Sequence, residues 1–284
     1  MRKLFIVTES GADLPKKYVD RYQIEVIPMH IMMGDKEYLD GQLDIQHIYD
    51  YFKDTKKVPS TAAANPSQYQ EVFERITAKN PGCFIIHIGY SAEASCTFAN
   101  ACIASQDMHN VYHIDSKNVS GGESAIIIKA AELIEKNPDM DPAELKLKVE
   151  AYAARAKMSF IPGRLEFLKA GGRVSNASYI GATVLNIKPM IEIIEGKLIA
   201  TKKYRGSINK IIEKYFEEYV HRHNLELEQL FCIFSMGVEE AVLQKIEQIS
   251  KQKGFKKMIR VQTGAVITCH CGPGGIGLSG FEKE

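Results

Sequence analysis

The stretch "CFIIHIGYSAEASCTFANACIASQDM" (Cys83–Met108) joins a predicted strand to a predicted helix and sets the pattern of the first half of the chain. Its first eight residues form a short, largely apolar run bounded by glycine and serine, which is typical of a buried strand. The same order recurs in "KLFIVTES" followed by "GADLPKKYVDRY", and in "VYHID" followed by "GGESAIIIKAAELIEK". Strands that alternate with helices pair in parallel, so this half predicts an α/β fold with a doubly wound, mostly parallel sheet.

The pattern changes after the predicted helix "DPAELKLKVEAYAARAK" (Asp141–Lys157). The segment "KPMIEIIEGKLIATKKY" predicts a hairpin that turns at Glu195-Gly196. We therefore predict an N-terminal domain of residues 1–158 and a C-terminal, mixed α/β domain of residues 159–284. Three segments are predicted as single strands: "IEVIPMHIMM" in the first domain, and "KMIRVQTG" and "AVITCHCG" at the end of the second.

Composition excludes several classes of protein. The 284 residues are 45% hydrophobic and 25% charged, with a net charge of +1 and no long basic block, which argues against a nucleic-acid partner. No apolar run approaches the roughly 18–20 residues that span a bilayer, so we expect no membrane insertion. The apolar stretch near the N-terminus is too short for a signal peptide. We expect a cytoplasmic protein whose six cysteines are free thiols.

The motif "ITCHCGPGGIGL" (Ile267–Leu278) admits a metal site or a phosphate-binding loop. If Cys269, His270 and Cys271 lie in a strand, the histidine faces away from both cysteines, and no second ligand pair follows elsewhere in the sequence. A dinucleotide loop needs a helix after its glycines, whereas the chain continues only as "LSGFEKE". We therefore predict neither a metal nor a cofactor at this motif.

Three hydroxyl-rich loops follow the predicted parallel strands, beginning at Thr8, Ser91 and Asp115. Ligands of open α/β sheets bind at this edge, although hydroxyl groups there also cap helices. The chain order Ser91, Asp115, His270 is that of an α/β-hydrolase, so an esterase is an alternative function. Against it, Glu93 stands where the nucleophile elbow has glycine.

Seven segments occur in a recognisable order along the chain: "TESGADLP", "STAAANPSQY", "SAEASCT", "IDSKNVSGGES", "LEFLKAGGRVS", "LNIKPMI" and "HCGPGGIG". Taken in order, they resemble the DegV family, bacterial fatty-acid-binding proteins that serve a fatty acid kinase. The resemblance runs from end to end of the chain, and Thr61 falls on the threonine of the family's hydroxyl-rich loop.

The resemblance implies a two-domain protein that buries a long-chain fatty acid, such as palmitate (hexadecanoate), between its domains. Thr61 and Ser95 would bind the carboxylate, with Ser91, Arg173 and His270 near the head group. The protein would be a carrier and not an enzyme. A separate fatty acid kinase, contacted through Arg205, would make the acyl-phosphate, and an acyltransferase of phospholipid synthesis would consume it.

Five positions depart from the family pattern around the expected head-group site. A glutamate replaces an aspartate, two alanines replace serines, one alanine replaces a leucine and a cysteine replaces a glycine; in sequence order these are Glu9, Ala62, Ala92, Ala94 and Cys96. The resemblance thus leaves the preferred acyl chain open. Ser95 and Thr61 also remain candidates for a helix cap and a turn cap.

Overall fold

The structure, a computed structural model, describes residues 3–176, 178 and 187–284. Of the segments quoted above, "LEFLKAGGRVS" is described in full, whereas the first two residues of "LNIKPMI" lie outside the described residues. The α-helices, numbered in chain order, are α1 Lys16–Tyr22, α2 Ile45–Thr55, α3 Pro66–Lys79, α4 Thr97–Ala104, α5 Ser120–Lys136, α6 Pro142–Arg155, α7 Leu165–Gly171, α8 Ile208–His223, α9 Glu240–Gln252 and α10 Ala265–Cys271.

The strands of the described residues form three sheets. The order is β2-β1-β6-β7 in a parallel sheet, β10-β9-β8-β13-β11-β12 in a mixed sheet and β4-β3-β5 in a small antiparallel sheet. Their bounds are β1 Leu4–Glu9, β2 Glu25–Ile27, β3 His30–Met33, β4 Lys36–Leu39, β5 Ser60–Ala62, β6 Phe84–Gly89, β7 Val111–Asp115, β8 Ala156–Ile161, β9 Ile187–Ile194, β10 Lys197–Arg205, β11 Gln229–Phe234, β12 Lys257–Gln262 and β13 Ile276–Phe281.

The parallel sheet confirms the predicted doubly wound pattern. Successive side chains of a strand point to opposite faces, and both faces of this sheet are buried. Ile6 and Ile86 belong to the large apolar cluster that includes α5 and α6, whereas Val7 and Ile85 pack with the aromatic side chains of α3. Helices therefore cover both sides of the sheet, as an all-parallel sheet requires.

The mixed sheet confirms the predicted hairpin. Strands β9 and β10 pair in antiparallel register and turn at Glu195 and Gly196, which have φ values of 46° and 81°. Two consecutive positive φ values are typical of a type I′ turn, whose twist matches that of the strands. The predicted division between residues 158 and 159 falls inside β8, and the division itself stays a prediction.

Two of the predicted single strands are wrong. "IEVIPMHIMM" is divided at Pro28 into β2, which joins the parallel sheet, and β3, which joins the small antiparallel sheet. "AVITCHCG" is the helix α10, with backbone bonds from Thr268 N to Gly264 O and from Gly272 N to Thr268 O. The glycine-rich tail after it forms β13, an interior strand of the mixed sheet that the sequence pattern did not indicate.

Candidate functional site

A largely apolar cavity, of about 860 Å³ when its opening to solvent is included, lies between the loops of the parallel sheet and one face of the mixed sheet. Concave, mostly apolar sites with a few polar groups are typical of small-molecule binding. Apolar side chains line most of it, from the first half of the chain (Met29, Val119) and from the mixed sheet (Met158, Phe160, Leu198, Ile233). Thr61, Ser95, Arg173 and His270 also line this cavity, so the structure brings four of the predicted site residues together.

The pair formed by Thr61 and His270 is the centre of the polar part of the cavity. Thr61 lies on β5 and His270 in the last turn of α10, and the hydroxyl oxygen is 2.8 Å from Nε2. A Cβ atom at Gly171 would lie 2.3 Å from the Nδ1 atom of His270, so only glycine permits this ring position. Burial lowers the pKa of His270 to about 4, and the charge of Arg173 adds to the shift, so the imidazole is neutral at pH 7.

Two buried carboxyl groups from the first half of the chain hold the helix that carries His270. Asp13 accepts a hydrogen bond from Gly264 N at 2.7 Å, and Asp40 accepts one from Ala265 N at 2.9 Å. Burial raises the pKa of both carboxyl groups. An isolated helix of seven residues is unstable in water, so α10 depends on these contacts for its N-terminal turn.

Arg173 and Ser95 complete the polar part of the cavity. The guanidinium of Arg173 donates to the carbonyl of Gly171 at 2.8 Å, directly after the glycine that faces His270. The Ser95 hydroxyl lies 2.7 Å from that of Thr97 and accepts from Thr97 N at 3.2 Å. Ser95, which precedes the N-cap residue Cys96, therefore accepts from the first N–H group of α4 and also lines the cavity.

Ser91 lies outside the cavity lining, and the triad of the alternative hydrolase function is not assembled. Its buried hydroxyl donates to the carbonyl of Gly196 at 2.8 Å, in the turn of the β9–β10 hairpin. Asp115 accepts from Lys117 N at 2.8 Å and stabilises its own loop, while Nε2 of His270 contacts Thr61. Because each of the three groups has a different partner, no relay from serine to histidine to aspartate forms.

The departures from the family pattern divide into two groups. Ala62 and Ala94 line the cavity, whereas Ala92 and Cys96 are exposed and lie outside its lining. The fifth, Glu9, is fully buried beneath the sheet edge and is also outside the lining. Small side chains at two lining positions leave room beside the head-group residues.

Glu9 is the centre of a buried polar network. Its carboxylate accepts hydrogen bonds from Tyr69 at 2.5 Å and from Tyr90 N at 2.9 Å, and it lies 2.6 Å from His87 Nε2. Although burial alone would raise its pKa, His87 and these donors lower the pKa of Glu9. Its longer side chain thus has a structural role in the sheet.

Sequence reasoning missed three polar lining residues: Tyr90, Ser120 and Thr263. Ser120 lay within the hydroxyl-rich loop after β7, but nothing distinguished it from its neighbours. It has a φ of 49°, and its hydroxyl donates to Asp13. The sequence places Tyr90 at the end of a predicted strand. No local pattern shows that its side chain lines the cavity, because the cavity forms only in the tertiary fold.

The remaining predicted residues have simple environments. Cys269 and Cys271 are buried in α10, so the strand geometry used against a zinc site does not apply. Within residues 3–176, 178 and 187–284 no cluster of three potential metal ligands is present. Arg205 is exposed at the end of β10. Across the same described ranges, no helix is both long and apolar enough to cross a bilayer.

The fold and the cavity define a two-domain α/β protein with a candidate ligand site between its main sheets. The model of the DegV family matches residues 3–283, and the chain belongs to this family. A DegV domain-containing protein of Clostridium perfringens is 27% identical over 276 residues, which are 96% of each chain. Protein DegV of Bacillus subtilis is 26% identical over 96% of this chain and 97% of its own.

Solved structures show the same fold. The fatty-acid-binding DegV family protein of Thermus thermophilus has a TM-score of 0.88 at 23% identity, covering 99% of this chain and 100% of its own. A DegV family protein of Eubacterium eligens, loaded with heptadecanoic acid, has a TM-score of 0.85 at 23% identity with the same coverage.

Proposed function

We propose that the protein binds a long-chain fatty acid in the cavity and presents its carboxylate to a fatty acid kinase. The observation that carries the proposal is the distribution of the lining, which is apolar along most of the cavity and polar around Thr61 and His270. The fatty acid ligands of the similar DegV proteins support the same class of ligand.

Hydrogen bonding around His270 gives Thr61 a free proton for the ligand. The Nδ1 atom of His270 has no partner among the described residues. If Nδ1 carried the proton, a buried N–H group would have no acceptor, which is less tolerable than a buried acceptor without a donor. The proton is therefore placed on Nε2. The Nε2–H group then donates to the Thr61 oxygen, and the Thr61 hydroxyl donates to the carboxylate.

The acyl chain supplies most of the binding free energy in this proposal. Each buried methylene contributes about 0.8 kcal/mol, so a C16 chain gains roughly 12 kcal/mol before the costs of ordering and association. The polar groups orient the head. Hydroxyl donors hold a carboxylate without the tight ion pair that would reduce its nucleophilicity, and Arg173 remains partly exposed beside them.

The protein would act as a carrier for a separate catalyst. The presented carboxylate oxygen attacks the γ-phosphorus of ATP on the kinase, ADP leaves, and the acyl-phosphate returns for transfer to an acyltransferase of phospholipid synthesis. Arg205 is proposed to contact the kinase, since its side chain is exposed and arginine is favoured at interface hot spots.

Native mass spectrometry of the purified protein tests the proposal. We expect a co-purified ligand of fatty acid mass, released on denaturation and identified by lipid extraction. Delipidated protein should bind palmitate with one ligand per chain. A delipidated protein that is folded but binds no fatty acid of any chain length would refute the proposed function.

A further inference from the structure

The hydroxyl group of Tyr90 differs from the other hydroxyl groups that line the cavity. Thr61 contacts His270, Ser95 contacts Thr97, Ser120 contacts Asp13 and Thr263 contacts Thr268. Tyr90 is 8% exposed and lines the cavity, and its hydroxyl makes no hydrogen bond within the part of the chain that the structure describes. This hydroxyl is not one of the fully buried polar atoms that lack a partner, so it is open to the cavity, where a ligand atom can accept its proton.

The position of the Tyr90 ring is fixed by its surroundings. Its backbone N–H donates to Glu9 at 2.9 Å, and a Cβ atom at Gly11 would lie 3.0 Å from two carbons along one edge of the ring. Gly11 therefore leaves room for one edge of the ring to pack against the chain at this point. The same side chain lines the cavity.

Tyr90 lines the same cavity as Arg173 and His270, and it stays protonated there. The positive charge of Arg173 lowers the pKa of both Tyr90 and His270. Burial raises the pKa of Tyr90 well above its ordinary value, and the nearby carboxyl groups of Glu123 and Asp13 raise it further. The phenol is therefore a hydrogen-bond donor at every physiological pH.

We infer that the Tyr90 hydroxyl donates a hydrogen bond to an oxygen atom of the bound lipid, an interaction that complements Thr61 and Ser95. This inference rests on the proposed function. Two kinds of oxygen would satisfy the donor: a carboxylate oxygen of any fatty acid, or an oxygen on the chain of a hydroxylated fatty acid. In the second case the protein selects oxygenated fatty acids over plain ones.

The test compares wild type, Tyr90→Phe and the control Tyr112→Phe, whose ring lies on β7 against Phe84 and outside the cavity lining. Dissociation constants are measured by titration of delipidated protein with palmitate and with hydroxypalmitates substituted near the head, at mid-chain and at the tail. Thermal unfolding of each delipidated variant is measured alongside.

If Tyr90 contacts the carboxylate, Tyr90→Phe weakens all these ligands about tenfold, which corresponds to about 1.4 kcal/mol. If it contacts a chain oxygen, only one hydroxypalmitate is weakened. Unchanged affinity for every ligand in Tyr90→Phe, with wild type binding normally, overturns this inference alone. A wild type that binds none of them overturns the proposed function as well.

Stability provides a second check. Because the hydroxyl makes no hydrogen bond to a described residue, Tyr90→Phe should unfold at the same temperature as wild type or slightly higher in the absence of lipid. A clear loss of stability in the delipidated variant would show that the hydroxyl has a protein partner, and it would overturn the inference.

Discussion

Replacing Thr61 by valine removes the hydroxyl that we place between His270 and the fatty acid carboxylate. Valine has nearly the same shape, so β5 and its pairing with β3 should be retained. A hydrogen bond to a charged group contributes about 1.5–3 kcal/mol, and Thr61 is the only hydrogen-bond partner of the His270 ring among the described residues. We therefore expect the dissociation constant for palmitate to rise roughly 10- to 100-fold.

Isothermal titration of delipidated protein with palmitate and with hexadecanol measures this effect. The alcohol lacks the carboxylate, so its affinity should depend much less on Thr61. Thr61→Ser keeps the hydroxyl and serves as the matched control, with affinity close to wild type. Equal palmitate affinity in wild type and in a correctly folded Thr61→Val would refute the assignment of Thr61 to the head group.

Three further predictions concern the surroundings of the site. His270 should make the delipidated protein less stable as pH drops from about 6.5 to about 4, because the unfolded chain protonates this ring while the fold, with a pKa of about 4, resists it. The effect is read as the difference in stability between wild type and His270→Gln, since the raised pKa values of Asp13 and Asp40 act in the opposite direction in both proteins. Palmitate should raise the His270 pKa in an NMR titration, and an unshifted pKa would separate the ring from the ligand. Asp40→Ala should lower the free energy of unfolding by about 1 kcal/mol in a denaturant titration and weaken palmitate binding, because Ala265 N loses its acceptor. Asp40→Asn keeps an acceptor oxygen and should change neither quantity. Equal behaviour of the two variants would contradict the capping role. Arg205→Ala should leave palmitate affinity unchanged and slow acyl-phosphate formation by the cognate kinase; lost lipid binding would instead place Arg205 in the cavity, and unchanged kinetics would place the kinase elsewhere.

The elements that sequence could predict are those whose pattern is local. The β9–β10 hairpin is specified by Glu195 and Gly196, and the long helix α5 by its own apolar repeat. The strand–helix alternation that gives the parallel sheet needs no knowledge of distant contacts either. Such features depend on side-chain periodicity and turn chemistry, which one segment contains in full.

Helix α10 could not be predicted because its N-terminal partners are distant in sequence. Its residues Ala265 to Cys271 are rich in β-branched and cysteine side chains, which favour a strand by propensity. The structure overrides this preference with the carboxyl groups of Asp13 and Asp40, which accept the N–H groups of the first turn. A local pattern does not reveal a cap supplied from more than 200 residues away.

The same limit explains the result for the candidate site. The family resemblance named Thr61 and His270, but their contact across 209 residues is visible only in the structure. Ser91 and Ser95 occur in one hydroxyl-rich loop, yet one donates to the hairpin at Gly196 and the other faces the cavity. Local sequence could not separate them, because both follow the same strand and precede the same helix.

Ser95 shows that helix capping and ligand binding are compatible in one side chain. A hydroxyl has one proton to donate and two lone pairs with which to accept. Thr97 N occupies one lone pair, and if the Thr97 hydroxyl also donates, the second is occupied and the Ser95 proton is free. The two hydrogen bonds that Ser95 accepts from Thr97 then leave its own proton to point into the cavity. In the same way, the hydrogen bond from Nε2–H of His270 to the Thr61 oxygen leaves the Thr61 proton for the ligand. Both donors would thus be oriented for an anionic head group before the lipid arrives, which reduces the ordering cost of binding.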